Sequence, residues 1–261
     1  MNRIRVASLV PSLTELLVEL GLFDCLVART GFCIHPAMRL RDVPKVGGTK
    51  DVNLAKLQRL APTHLLVNID ENRRETIEAI RVWPNPPQIV VTHPLRPEDN
   101  PALIAQMVEH FGAVRGVRER AAALTRALQH ELALTQPEAR PPQRVLYLIW
   151  REPWMTVARD TYISAMLARV AWHTQPELAG GDAGAARYPA LQGDEPWLAD
   201  VQQALLSSEP YSFTEAHLAE VQALCPNAHA RLVDGAMLSW YGARAVPGLR
   251  YLREIAGEAP R

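Results

Sequence analysis

The chain has 261 residues, 28 Lys+Arg against 28 Asp+Glu, and is 48% hydrophobic. That length and apolar content bury a sizeable core in two ordinary domains or one large α/β unit, and the balanced charge excludes a dedicated nucleic-acid binder, which needs a basic face. No apolar run approaches the ~18 residues of a membrane helix, and three cysteines (Cys25, Cys33, Cys225) imply no disulfide framework.

The apolar run 4–10 predicts a first strand. Pro11 and Ser12 then open a helix with Leu13, Leu16, Leu17 and Leu20 on one face. Ser12 stands as its N-cap with Glu15 at capping-box spacing, and Gly21 ends it. Segments 25–29, 64–68 and 88–92 read as the next strands. Between them Leu54, Leu57 and Leu60 share a helical face, and a helix covers 72–82. Strands alternating with helices imply a parallel sheet with covered faces. Residues 102–136 contain no proline and repeat apolar side chains every three or four positions, from Leu103 to Leu132. That pattern predicts one amphipathic helix of roughly 50 Å, ended by Pro137, Pro141 and Pro142. Alternation then restarts with a strand at 144–149, a helix at 161–171, strand-to-loop segments at 202–211 and 230–235, and a closing helix at 246–257. The expected fold is α/β: two three-layer lobes with mostly parallel sheets, 1–97 and 139–261, joined by one long backbone helix, 98–138. The Gly/Ala-rich stretch 177–196 reads as a long loop of the functional kind.

Polar and aromatic clusters fall at the carboxyl ends of predicted strands, where open parallel sheets bind ligands. They are "TGFCIHP" (30–36), "VGGTK" (46–50), "NIDENRR" (68–74) and "THP" (92–94) in the first half. In the second they are "WREPW" (150–154), "ARYP" (186–189), "SSEPYSF" (207–213) and "DGAMLSWYGAR" (234–244). Flat aromatics supply large apolar contact and a few polar groups fix orientation; the competing reading of each lone Trp is a core or hinge residue. Gly47-Gly48-Thr49 either lets backbone amides approach an anion or is an ordinary tight turn. GxGxxG, Walker and GxSxG patterns are absent. Cys33 and His35, with His64 and His93 elsewhere, leave open a metal site or a nucleophile–base pair, although the ligand set for a structural zinc is incomplete. Asp70 and Glu71 suit a helix N-terminus.

The segments "RVASLVPSLTELLVELG", "VPKVGGTKDVNLAKLQRLAPTHLLV" and "ENRRETIEAI" resemble the helical-backbone substrate-binding proteins of siderophore and vitamin B12 ABC importers, the cobalamin-binding branch most of all. The resemblance spans nearly the whole chain. It implies a non-enzymatic, monomeric receptor with no resident cofactor, which holds a cobalt corrinoid or ferric chelate between two lobes and delivers it to an ABC permease. By position it implies ligand contacts from Phe32, Gly48, Thr49, Asn68, Trp150, Arg151, Trp154, Tyr188, Trp240 and Tyr241. Glu71, Glu75 and Glu195 are the implied glutamates for permease docking. Asn68 stands where a cobalamin binder places an aromatic. Arg73, Arg74, Arg151 and Arg187 imply a basic mouth, suited to an anionic siderophore or carboxylate-bearing tetrapyrrole. Family members are periplasmic or membrane-anchored, whereas this N-terminus runs into strand and helix without an export leader. A cytosolic corrinoid or metal-chelate handler of the same fold is therefore the alternative, and an enzyme using Cys33 and His35 the third reading.

Overall fold

The structure, a computed structural model, describes residues 4–137, 140–181 and 184–257. The expected 138/139 domain boundary lies outside the described residues. The chain divides into two compact units: Met1–Pro94, Asn100–Arg126 and Tyr241–Arg244 form the first, and Leu95–Asp99, Ala127–Trp240 and Ala245–Arg261 the second.

The first unit holds strands β1 (Val6–Ser8), β2 (Leu26–Arg29), β3 (His64–Asn68) and β4 (Gln88–Thr92) in the order β2-β1-β3-β4, all parallel. Val6, Ala7, Leu65, Leu66 and Val67 are buried, as strands covered on both faces must be, so they read as apolar runs and not as alternation. Leu57 of α3 (Leu54–Arg59) and Ile80 of α4 (Arg74–Arg81) close one side of this core. The short α2 (Ala37–Leu40) follows β2.

Helix α1 (Pro11–Glu19) starts two residues earlier than the capping-box expectation. Val10 is its N-cap, with no side-chain cap bond. Pro11 occupies the first helical position, where its missing N–H costs nothing. Ser12 is thereby carried into the helix and buried. Thr14 Oγ1 donates to the Val10 carbonyl at 2.9 Å. Glu15, freed from the capping role, accepts from Arg244 Nε at 2.8 Å. Gly21 ends the helix as expected, at φ 79°.

The single helix expected over 102–136 is two helices, α5 (Asn100–Phe111) and α6 (Val117–Leu134). The helix stops at Gly112 and restarts after Gly116, which adopts φ 84°, a conformation that breaks a right-handed helix. Apolar spacing survives through Val114 and Val117, so periodicity alone could not register the break.

The second unit repeats the plan. Strands β5 (Gln143–Leu148), β6 (Trp172–Thr174), β7 (Gln203–Ser207) and β8 (His229–Val233) run parallel in the order β6-β5-β7-β8. The three-residue β6 was not anticipated from the sequence; it follows Ala171 at φ 59°, whose carbonyl accepts the Gln143 N–H. Leu146, Leu148, Leu206, Phe213 and Val221 form one core face. The helices are α7 (Tyr162–Ala168), capped by Thr161 Oγ1 on the Ser164 N–H, α8 (Leu218–Leu224), α9 (Gly235–Ser239) and α10 (Ala245–Gly257). Gly248 lets α10 cross α9 closely: a Cβ there would stand 2.2 Å from the Met237 carbonyl oxygen. Gly248→Ala is therefore expected to cost about 1–3 kcal/mol by overpacking, measured as a lowered denaturant midpoint with unchanged slope.

Candidate functional site

Both sheets share one strand order, in which the first and third strands of each unit are neighbours and their connections leave in opposite directions. Ligands of open parallel sheets bind beyond the carboxyl ends of the strands at that switch point.

In the second unit this place lies past β5 and β7. Ile149 and Trp150 pair back onto Met155, with Ile149 N–H donating to the Met155 carbonyl at 3.0 Å and Met155 N–H to Trp150 at 3.1 Å. The turn so closed displays the Trp150 indole, which is 40% exposed. Tyr211, tied to the Ile149 carbonyl at 3.3 Å, meets Trp150 edge-on at 5.6 Å and lies 4.7 Å from Phe213, centroid to centroid. Phe213 stacks on Trp154 at 6.0 Å and 8°. His217 contacts both Tyr211 and Phe213. The Thr214 N–H donates to His217 Nδ1 at 3.0 Å, and Nε2 lies 3.2 Å from the Tyr211 hydroxyl. Such edge-on and stacked pairs are preferred ring geometries, so the rim is a pre-built aromatic wall. Tyr211 and Phe213 lie in the loop 207–213 that the strand-end pattern marks. His217 carries no sequence signal, because its place depends on the turn into α8.

Arg151 belongs to this wall without being free. It donates to Glu220 and to Glu152, each at 2.8 Å, and its guanidinium lies 5.9 Å from the Trp154 ring centre. Trp240 is buried and donates from Nε1 to Glu209 Oε1 at 2.7 Å, an oxygen that also accepts from Ser239. It ties down the 207–213 loop through Glu209. Tyr188 is half-buried at the end of the 185–187 turn. The glycine-rich loop around it is zipped to the 154–158 segment, through Ala158 N–H to Arg187 at 2.8 Å and Leu191 N–H to Trp154 at 2.8 Å.

In the first unit, Phe32 is 63% exposed, and its ring edge lies 3.3 Å from where a Cβ on Gly48 would stand. Gly47, at φ 102°, accepts the Gly31 N–H at 2.7 Å, and the Gly48 N–H is spent on the Asp51 carbonyl at 3.0 Å. This is the ordinary tight turn, one that clears room for Phe32, and the Gly48 amide is not held for an anion. The Thr49 carbonyl accepts from Asn72 Nδ2 at 3.0 Å. Asn68 is buried, and its Oδ1 accepts the Asp70 N–H at 2.8 Å. Tyr241 belongs to the first unit, not the second as chain order suggests. Its buried hydroxyl donates to Glu71 Oε1 at 3.0 Å. Burial, and after it the Glu71 charge, hold the phenol well above the ordinary tyrosine range.

The glutamates implied for docking differ in availability. Glu71 is engaged by Tyr241, and Glu195 accepts the Gln192 and Gly193 amides at 2.7 and 2.8 Å. Glu75, in the first turn of α4, is exposed.

The basic mouth is not what the structure displays. Arg187 is 1% exposed and donates to the Gly181 and Asp160 carbonyls at 2.7 and 2.8 Å. Arg73 pairs with Asp51 at 3.4 Å and Arg74 with Glu78 at 2.6 Å. Together with the pairing of Arg151, each of the four cations is neutralised locally or buried.

Cys33 is fully buried, 3.1 Å from the Thr30 hydroxyl, and burial raises its thiol above the ordinary range. This overturns the nucleophile reading, because the thiolate is the reactive form. Iodoacetamide is expected to label Cys33 in the folded protein far more slowly than a free thiol at neutral pH, with full labelling after denaturation, read by mass spectrometry. Among the described residues no group of three or more His, Cys, Asp or Glu is placed to hold a metal ion. Among the described residues, also, no helix is long and apolar enough to cross a membrane.

No family model and no curated protein matches the chain. Among solved structures the chain is similar to the periplasmic vitamin B12 binding protein BtuF of Vibrio cholerae, with TM-score 0.76, 19% identity, and 98% of each chain covered. It is similar to the periplasmic heme binding protein HutB of Vibrio cholerae, with TM-score 0.76, 19% identity, and 98% of this chain and 100% of that one covered. A periplasmic heme binding protein from Pseudomonas aeruginosa gives TM-score 0.75 and 18% identity over 98% of this chain and 94% of the other. At these identities the likeness is one of fold.

Proposed function

We propose that the chain is a solute-binding protein of an ABC importer and that its solute is a flat metal-bearing macrocycle, a corrinoid foremost. The observation that carries this reading is the exposed Trp150 indole, met edge-on by Tyr211 and backed by the Phe213–Trp154 stack, at the switch point of the second sheet. A planar conjugated ring is the ligand for which large, stiff aromatic faces give most contact at least entropy cost. Local pairing of Arg73, Arg74 and Arg151 and the burial of Arg187 favour a weakly charged macrocycle over a polyanionic siderophore. The names of the similar structures, vitamin B12 and heme binders, point to the same chemical class. Heme is the second reading, favoured by the Tyr211–His217 pair, because a tyrosine oxygen is an established axial ligand of heme iron. Exposed Glu75 is the acidic group we assign to permease docking.

Titrating the purified chain with cobalamin, cobinamide, heme and a ferric siderophore separates these readings. Saturable tryptophan quenching with a shifted corrin spectrum by cobalamin or cobinamide supports the first, and a shifted Soret band the second. A response to the siderophore alone overturns the macrocycle, and silence with all four overturns the receptor.

A further inference from the structure

We propose that His64 and His110, with Gln88 between them, form an exchangeable binding site for a divalent transition-metal ion at the amino edge of the first sheet. This edge is opposite the one that carries the aromatic and loop residues described above, so the site is separate from the proposed solute site.

His64 opens β3 and Gln88 opens β4, and the two are register partners on adjacent parallel strands. Partners in parallel register project to the same face. His110 comes to that face from the last turn of α5. The two imidazole centroids are 6.2 Å apart at 71°. Gln88 Nε2 lies 3.3 Å from His110 Nδ1, and the Gln88 side chain also hydrogen-bonds His64. The Gln88 amide thus lies against both rings. An ion bound to two imidazoles at about 2.0–2.1 Å per nitrogen brings ring centres to within about 5–6 Å, so a small rotation lets an ion take the amide's place. The Gln88 oxygen and water complete the coordination.

Thr63 Oγ1 lies 2.9 Å from His64 Nδ1, and Phe111 packs edge-on at 5.0 Å; together they fix the ring in the manner that orients metal-ligating histidines. Two nitrogens and open positions select zinc, nickel or copper over calcium or magnesium. An ion here would clip the end of α5 to the first turn of the sheet.

The test is calorimetric titration of the full chain, stripped with a chelator, with nickel and zinc chlorides at neutral pH, beside thermal melts. The expected result is one ion per chain and a raised melting temperature, both lost on acidification. His64→Asn and His110→Asn should each weaken binding roughly tenfold or more, and Gln88→Ala, whose oxygen water can replace, should weaken it less. His110 is partly exposed near a helix end, so its variant keeps the test decisive if His64→Asn folds poorly. Binding unchanged in His110→Asn, or no heat and no melting shift in the parent chain, overturns the site.

Discussion

Glu131→Ala is expected to destabilise the second unit by about 3 kcal/mol, the range for removing one partner of a buried ion pair. The Glu131 side chain is 3% exposed and binds two cations of α10, Arg250 Nε at 2.5 Å and Arg253 at 2.6 Å. Arg253 also donates to Thr135 Oγ1 at 2.9 Å. Truncation leaves both guanidiniums without their shared carboxylate at the α6–α10 contact. Burial by itself would raise the Glu131 carboxyl, but the hydrogen bonds and charges of Arg250 and Arg253 outweigh it and hold the group below the ordinary glutamate range. A depressed carboxylate contributes stability that is present above its unfolded value and is lost as pH falls through the folded one. The parent chain should therefore lose stability more steeply than Glu131→Ala on acidification below the ordinary glutamate range. Denaturant melts at several pH values measure this; parallel pH profiles in the two proteins would contradict it.

Trp150→Ala is expected to weaken macrocycle binding by about 2 kcal/mol, or roughly thirtyfold, the loss typical of a central aromatic anchor. Folding stability should move less than affinity, because the indole is 40% exposed and meets Tyr211 only at its edge. Trp154→Ala is the contrasting variant. Its ring stacks on buried Phe213 and packs against the core under α8, so it should lose about 2 kcal/mol of stability, part of the penalty of a full core truncation. Fluorescence titration and denaturant melts on both variants separate the roles. Equal affinity for Trp150→Ala and the parent would remove the aromatic wall from the solute site.

Strand positions were the most legible part of the fold. Residues 64–68 and 88–92 coincide with β3 and β4, because parallel strands covered on both sides leave an unbroken apolar signature. The two units repeat one strand order, as the restarted alternation after residue 142 implies. Strand β6 escaped because three residues are too few for a periodic signal. The α5–α6 break escaped because Gly116 acts through its φ, which leaves no mark on apolar spacing. Site residues divide by the same logic. The exposed rings of Trp150 and Phe32 were visible as aromatics at strand ends. The pairing that ties up Arg151, Arg187, Glu71 and Glu195 comes from residues distant in sequence or from loop closure, and no local pattern encodes it. Trp240 and Tyr241, adjacent in sequence, serve different units, a split that no window of neighbouring residues can anticipate.

That split has a consequence for biosynthesis. Tyr241–Arg244 pack with the first unit, where Arg244 binds Glu15, the Gly242 N–H donates to Asn100 Oδ1 at 2.5 Å, and the space where a Gly242 Cβ would sit is filled by Leu16. Domains as a rule fold in order as they leave the ribosome. Here the first unit must wait, with Glu15 lacking its Arg244 partner, until residues 241–244 have been made. A fragment stopping before residue 241 should show α1 poorly protected from amide exchange, even though α1 lies more than 200 residues earlier in the chain.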